Sequence, residues 1–275
     1  MRLALAQLSC ADGDTAGNLE KARLAIAEAA RRGATLVVLP ELHITGFLEA
    51  EALRLAAEPW PSPSLAGLIA LAAEHGMGLS TSFAEAGEHG RVHNTAVLAG
   101  PDGRIVSSYR KTHLFDSERP IYAAGSALAD PVDLCGVIMG LLICYDVEFP
   151  ETARRLGLEG AQCLVVPSAN MDPWGPRHRV FVTARALENH LYVAYCNRCG
   201  TSTTMSFPGE SAIVDPMGRI VCEAGANEEV LCGDIDLNMV AESGHTFDYR
   251  RDRRPDVYGA LGATTPWPGA DGREG

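Results

Sequence analysis

Short, continuously apolar, β-branched runs alternate along this chain with Ala-rich stretches of helical spacing, and a tight turn breaks the alternation twice. Residues 35–39 read Thr-Leu-Val-Val-Leu, the pattern of a strand covered on its faces by other layers rather than wetted on one side. Residues 19–32 place Leu24, Ala25 and Glu28 at helical spacing and close at Gly33. The same signals predict strands over 3–8, 78–84, 136–143, 163–167, 191–196 and 230–235, and helices over 64–75, 150–158 and 176–189. Pro101-Asp102-Gly103 separates apolar runs at 92–99 and 104–109, and Asp215-Pro216-Met217-Gly218 separates 212–214 from 220–223, so each predicts a hairpin. Antiparallel hairpins have no place in a purely parallel, doubly wound sheet. The pattern therefore predicts an α/β fold on mixed sheets, with two similar halves in one domain.

Composition limits the partners. The 275 residues are 47% hydrophobic and 21% charged, a globular balance that excludes disordered and fibrous classes. No low-complexity linker divides the chain, so residues 1–258 are expected to form one domain and the Gly-, Pro- and Thr-containing segment 259–275 a C-terminal tail. The net charge is −12, and the only dense basic group is Arg250, Arg251, Arg253 and Arg254, which leaves nucleic acid and anionic membranes as poor partners. Polar Gln7 and acidic Asp12 and Asp14 interrupt the amino-terminal apolar run too early for a signal peptide. No apolar run approaches the ~20 residues of a membrane span. The expected location is the cytoplasm, where the eight cysteines would be mainly buried thiols.

In α/β sheets ligands bind beyond the carboxyl ends of strands, and three reactive residues stand at such ends: Glu41, Lys111 and Cys144. Singly, each has a structural reading as a turn cap, a member of a solvated run or a buried thiol. At a strand-to-helix turn, Cys144 is expected to feel helix-terminal amides that favour its thiolate. Other signals are weaker. Cys196-Asn197-Arg198-Cys199 is a single C-x-x-C without a second pair, and the histidines form no H-E-x-x-H, so no metal is expected. His113 reads as a hydrogen-bonded structural residue near the site. Nucleophile-elbow, dinucleotide and phosphate-loop glycine motifs are absent from the sequence.

The contexts of the three residues carry more. They are Leu39-Pro40-Glu41, Tyr109-Arg110-Lys111-Thr112-His113-Leu114, and Leu142-Ile143-Cys144-Tyr145-Asp146 followed by Phe149-Pro150-Glu151. Downstream lie Arg185-Ala186-Leu187-Glu188-Asn189, residues 197–200, and Phe207-Pro208-Gly209-Glu210-Ser211. Over residues 2–237 this set resembles the nitrilase superfamily of carbon-nitrogen hydrolases. The Cys-Tyr-Asp form is similar to the amidase branch, in particular bacterial aliphatic and stereoselective amidases, whereas nitrile-hydrolysing members more often follow the cysteine with Trp-Glu.

The resemblance implies a four-layer α-β-β-α sandwich, no cofactor, a small-molecule amide substrate, and a homodimer or higher homo-oligomer. Candidate contact surfaces are the helix at 150–158 and the segment from Arg250. It implies that Cys144 attacks the amide carbonyl and forms a thioester, with Glu41 moving the protons. Lys111 and the Tyr145 amide would stabilise the oxyanion. Glu118, seven positions before Gly125, would hold Lys111 or the substrate amide. Asn170 and Glu148 complete the expected substrate and oxyanion set. Many relatives carry Arg where Glu148 stands; here an unpaired carboxylate near the pocket would disfavour anionic substrates, or Glu148 caps a helix or faces an interface. N-carbamoyl hydrolase, ω-amidase and nitrilase activities use the same triad. A non-catalytic binding protein would have no need of it.

Overall fold

The computed structural model describes residues 1–202 and 204–258; the tail expected at 259–275 lies outside them. The chain runs β1 (Arg2–Gln7), α1 (Thr15–Arg31), β2 (Leu36–Val38), α2 (Ala50–Ala56), α3 (Pro63–Glu74), β3 (Gly78–Ala86), β4 (Val92–Ala99) and β5 (Ile105–Arg110). It continues with β6 (Val132–Leu134), β7 (Val137–Leu141), α4 (Pro150–Leu158), β8 (Cys163–Ser168), α5 (Gly175–Asn189) and β9 (Tyr192–Asn197). Then come β10 (Cys199–Thr201), β11 (Ser206–Pro208), β12 (Ala212–Val214), β13 (Ile220–Glu223), β14 (Glu229–Asp234), α6 (Leu237–Ser243) and α7 (Pro255–Tyr258).

Two six-stranded sheets carry the fold, ordered β14-β1-β2-β3-β4-β5 and β13-β12-β9-β8-β7-β6. Each has a parallel centre, β1-β2-β3 in one and β7-β8-β9 in the other, with antiparallel strands on both flanks. Both expected hairpins form, as β4-β5 and β12-β13, each on an antiparallel flank of its sheet. The two halves anticipated from the repeated hairpin are these two sheets.

The pleat explains the continuous apolar runs. Along β1 and β2, Leu3, Leu5, Leu36 and Val38 point into a core shared with Met139, Leu141, Val165 and Ile213 of the second sheet. Their neighbours Ala4, Ala6 and Val37 point the other way, onto Ala22, Ile26, Leu65 and Leu68 of α1 and α3. On the second sheet, Leu164, Val166 and Val193 meet Ala153, Leu156, Val182 and Ala186 of α4 and α5. Successive side chains alternate faces and both faces are dry, so every position is apolar. The layers are α-β-β-α.

Elements absent from the pattern reading are those with little to bury. In α2 only Leu53 is buried and no side chain caps the amino end; β6 has three residues, and β10 with β11 forms a separate two-stranded ribbon. No helix among the described residues is long and apolar enough to cross a membrane.

Candidate active site

Beyond the carboxyl ends of β2, β5, β7 and β8 lies a pocket of about 140 Å³, lined among others by Glu41, Lys111, Glu118, Cys144, Tyr145, Glu148 and Asn170. All seven residues singled out from the sequence therefore meet in one cavity. Glu41 leaves β2 through Pro40 and is fully buried; its N–H donates to the Ser168 carbonyl at 3.2 Å, tying the ends of the two sheets together. Its carboxylate accepts from Lys111 Nζ and Asn94 Nδ2, both at 2.7 Å on Oε1, and from Ala169 N–H at 3.0 Å on Oε2.

Lys111 follows β5, and its backbone is held on both sides, donating to Asn94 O at 2.9 Å and accepting from Gly125 N–H at 2.8 Å. Gly125 must be glycine for that approach: a Cβ there would sit 2.2 Å from the Arg110 carbonyl oxygen. The ammonium reaches both Glu118 oxygens at 2.8 Å, and Phe115 N–H donates to Glu118 Oε2 at 2.7 Å. Three carboxylate oxygens, one of Glu41 and both of Glu118, thus lie within reach of its three N–H donors, and Lys111 also lines the pocket.

The electrostatics follow from burial and charge count. Burial works against the Lys111 ammonium, but Glu118 and Glu41 outweigh it and hold its pKa well above the ordinary value. One cation cannot serve two buried carboxylates fully, so burial raises the pKa of Glu118 despite Lys111.

Cys144 opens a short 3-10 turn, Cys144–Glu148, with a left-handed backbone (φ 42°) that a non-glycine residue adopts only when its surroundings impose it. Those surroundings centre on Asp146, a fully buried carboxylate. It accepts from Ile143 N–H at 3.1 Å, His113 N–H at 3.1 Å, Tyr109 Oη at 2.9 Å and His113 Nδ1 at 2.8 Å, so it clamps the lysine loop to the cysteine turn. His113 is thus the hydrogen-bonded neighbour anticipated, stacked on Phe149 at 3.9 Å between ring centroids.

The expected helix-favoured thiolate is not what the environment provides. The α-helix begins only at Pro150, and burial, reinforced by the Glu41 charge, pushes the Cys144 thiol well above its usual value against the pull of Lys111, Ser168 and Ala169. A base must take its proton. Tyr145 N–H lies in the first turn after Cys144, where a helical backbone donor has no carbonyl behind it.

Of the two expectations for Glu148, an unpaired carboxylate near the pocket or a helix cap or interface residue, the structure keeps the place near the pocket but not the lack of a partner. Glu148 lines the pocket, but its Oε1 accepts from His178 Nε2 at 3.0 Å. Asn170 is fixed through its backbone, donating from N–H to Asn197 Oδ1 at 2.8 Å and accepting from Asn197 Nδ2 at 3.2 Å, while its own buried Nδ2 has no protein partner. Asn94, Asp146, Ser168, Tyr195 and His178 were not found by sequence reasoning. Asp146 stood in view inside the Cys-Tyr-Asp motif, and Asn94 is a polar interruption in an apolar strand. Among the described residues no group of three or more His, Cys, Asp or Glu side chains is placed to hold a metal ion. In the C-x-x-C pair, Cys196 is a buried thiol directed at Val38 O and Ala6 O.

A four-layer sandwich with Glu, Lys and Cys converging from three strand ends defines a hydrolase that acts on carbon-nitrogen bonds. The carbon-nitrogen hydrolase family model matches residues 2–244, and the chain belongs to that family, within the nitrilase superfamily. It is similar to the (R)-stereoselective amidase of a Pseudomonas species, 41% identical over 256 residues that cover 92% of each chain. The 2-oxoglutaramate amidase of Bacillus subtilis is 33% identical over 257 residues, covering 92% of this chain and 97% of its own. Among solved structures, an amidase from Nesterenkonia sp. matches with a TM-score of 0.84 at 30% identity, over 94% of both chains.

Proposed function

We propose that this enzyme hydrolyses small linear carboxamides to acid and ammonia through a thioester on Cys144. The observation that carries the reading is the Lys111 ammonium, buried beside Cys144 and held at 2.7 and 2.8 Å by Glu41 and Glu118. Cys144 attacks the carbonyl, and Glu41 takes the thiol proton and delivers it to the leaving ammonia. The Lys111 ammonium and the Tyr145 amide meet the developing oxyanion, and Asn170 Nδ2 offers a further donor on the pocket wall. Water activated by Glu41 then hydrolyses the thioester. Glu118 positions Lys111.

The pocket favours a small acyl group: its remaining walls include Phe47, Phe115, Met171, Trp174 and Met205. Glu148 also lines this space, its carboxylate bonded to His178, and its negative charge supports neutral or amine-bearing amides over dicarboxylate monoamides. Arg177, stacked 4.3 Å over Trp174 and also on the pocket wall, favours a second reading of the ω-amidase type, in which an anionic acyl end is recognised. An ammonia-release assay over amides, N-carbamoyl compounds and nitriles decides. The first reading requires a neutral or amino-acid amide to give the highest kcat/KM; a dicarboxylate monoamide as best substrate selects the second, and no ammonia from any amide defeats both.

We propose also that the enzyme pairs as a symmetric homodimer. Supporting this, Val180 and Leu187 of α5, Leu158 at the end of α4, and Phe247 and Tyr249 before the Arg250 segment all expose large apolar side chains. Sedimentation at working concentration should give the mass of two chains.

A further inference from the structure

Between β9 and β10, inside the segment Cys196-Asn197-Arg198-Cys199, stands the largest fully buried side chain among the described residues, Arg198. Burying a guanidinium is costly unless charge and hydrogen bonds compensate, so its partners show what it is kept for. The backbone is anchored on both sides: Arg198 N–H donates to Ser168 O at 3.0 Å, and its carbonyl accepts from Gly209 N–H at 3.2 Å. The guanidinium donates from Nη2 to Cys10 O at 2.6 Å and from Nη1 to Asp12 Oδ1 at 3.1 Å. Its carbon lies 4.1 Å from the ring centre of Phe207.

Two of these contacts lead to the same neighbour. Phe207, on β11, stacks on Phe47 with ring centres 6.2 Å apart and planes 24° from parallel, and Phe47 is part of the pocket wall. Asp12 Oδ1, the oxygen that meets Arg198, also accepts from Phe47 N–H at 3.0 Å. The ring of Phe47 is thus backed by the guanidinium through Phe207, and its backbone is tied to the same guanidinium through Asp12. Gly46 lets the loop come this close: its φ is 68°, and a Cβ there would lie 2.4 Å from Asp12 Oδ1. Glu41, earlier in the same loop, is held separately by Lys111, Asn94 and Ala169. The wall and the catalytic carboxylate have different anchors.

We propose that Arg198 is a specificity-determining positioning residue: from outside the pocket it fixes Phe47, and so sets the size of acyl group that the pocket admits. The inference rests on the reading of the pocket as the acyl site of an amidase. A phenylalanine on a loop turns aside for a larger ligand at the cost of one rotamer change. Phe47 turns aside only by breaking its stack on Phe207, which the buried guanidinium holds in place, and a cation–π contact is strongest where water is excluded. Arginine suits this task and lysine does not, because a planar guanidinium stacks on a ring while its N–H groups point edgewise to Asp12 and Cys10.

The test compares kcat/KM, by ammonia release, for a short and a long amide of the series that wild type hydrolyses best, propionamide and hexanamide or alaninamide and norleucinamide. Arg198→Lys keeps the charge and removes the planar face, so the Phe47 wall should yield and the long-to-short ratio should rise by about tenfold, the low end of what a methylene is worth in an apolar pocket. Phe47→Ala should raise the ratio at least as far. Adding Arg198→Lys to it should change the ratio by no more than about twofold, since the wall through which Arg198 acts is gone. Phe207→Leu, which removes the stack and leaves the Asp12 pair, should give the same rise in wild type and the same silence in the Phe47→Ala background, and it decides the matter if Arg198→Lys does not fold. The proposal is overturned if these variants lower kcat/KM for both amides by one factor, the mark of a role in folding alone. It is overturned equally if they shift the ratio as far in the Phe47→Ala background as in wild type. Wild type that releases no ammonia from any amide contradicts the amidase reading instead, so the two failures are distinguishable.

Discussion

The floor and the rim of the pocket are built on opposite terms. On the floor, Glu41, Lys111, Glu118 and Cys144 sit at or near the ends of strands, all buried, and the three charged side chains bind one another and the backbone at 2.7 to 3.0 Å. On the rim, Phe115, Tyr145, Met171, Trp174 and Arg177 come from loops and helix starts, are at least partly exposed, and meet mostly through stacking. The difference teaches where chemistry and choice reside. A buried ion cluster tolerates no misplaced group, because an unpaired charge there loses both its solvation and its partner. A rim of aromatic and thioether side chains can change shape and charge without touching the reaction.

Breaking the floor should cost most. Cys144→Ala should lower ammonia release by more than about 10³-fold, while circular dichroism and thermal midpoint stay close to wild type, because one small side chain carries the nucleophile and little packing. Lys111→Arg should lose more than about 100-fold despite keeping a cation, and Lys111→Ala at least as much, since a bulkier planar fork cannot occupy the place of a compact ammonium packed between Glu41 and Glu118. Near-normal turnover by the arginine variant would reduce the floor to diffuse charge.

Breaking the rim should redistribute substrates instead. Glu148→Gln should change the ratio of kcat/KM for an amino-acid amide over a dicarboxylate monoamide by about tenfold in favour of the latter, the scale of one charge-assisted hydrogen bond, with little effect on a neutral amide. A uniform loss on all three would place Glu148 on the floor side of the divide.

The smallest effect sharpens the comparison through pH. Against the pull of burial, the Glu118 and Glu41 carboxylates hold the folded pKa of Lys111 well above its ordinary value of 10.5, so its contribution to stability is complete below that pH and is lost as pH climbs from there. The thermal midpoint of wild type should therefore fall more than that of Lys111→Met as pH rises from about 10.5 to about 12, whereas Glu148→Gln should follow wild type. Parallel curves for all three would show that the buried ammonium adds nothing to the fold.

The same division governs what could be read from the residues. Strands such as Leu36–Val38 and Cys163–Ser168 are legible because burial on both faces leaves no polar position, and the floor is legible because Glu41, Lys111 and Cys144 stand directly at strand ends. The hydrogen-bonded line of Ser168, Tyr195 and His178 was not legible. Ser168 reads as the last residue of an apolar strand, Tyr195 as core, and His178 as one histidine on a helix; only tertiary packing of β8, β9 and α5 brings them into line. The thiolate expectation failed for a related reason. Position in a turn is visible in sequence, but the desolvation that dominates the Cys144 thiol depends on layers folded over it from both sheets. Glu148 looked unpaired because its partner lies thirty residues on, across the pocket wall.

The central claim is that Cys144 carries the acyl group. Enzyme quenched in acid during turnover of a small amide, then digested and weighed by mass spectrometry, tests it directly. The account predicts that the peptide containing Cys144 gains the mass of the acyl group, that the gain disappears once substrate is exhausted, and that it is absent from Cys144→Ala. Acyl mass on another of the eight cysteines, or turnover by the Cys144→Ala variant at the wild-type rate, would contradict it.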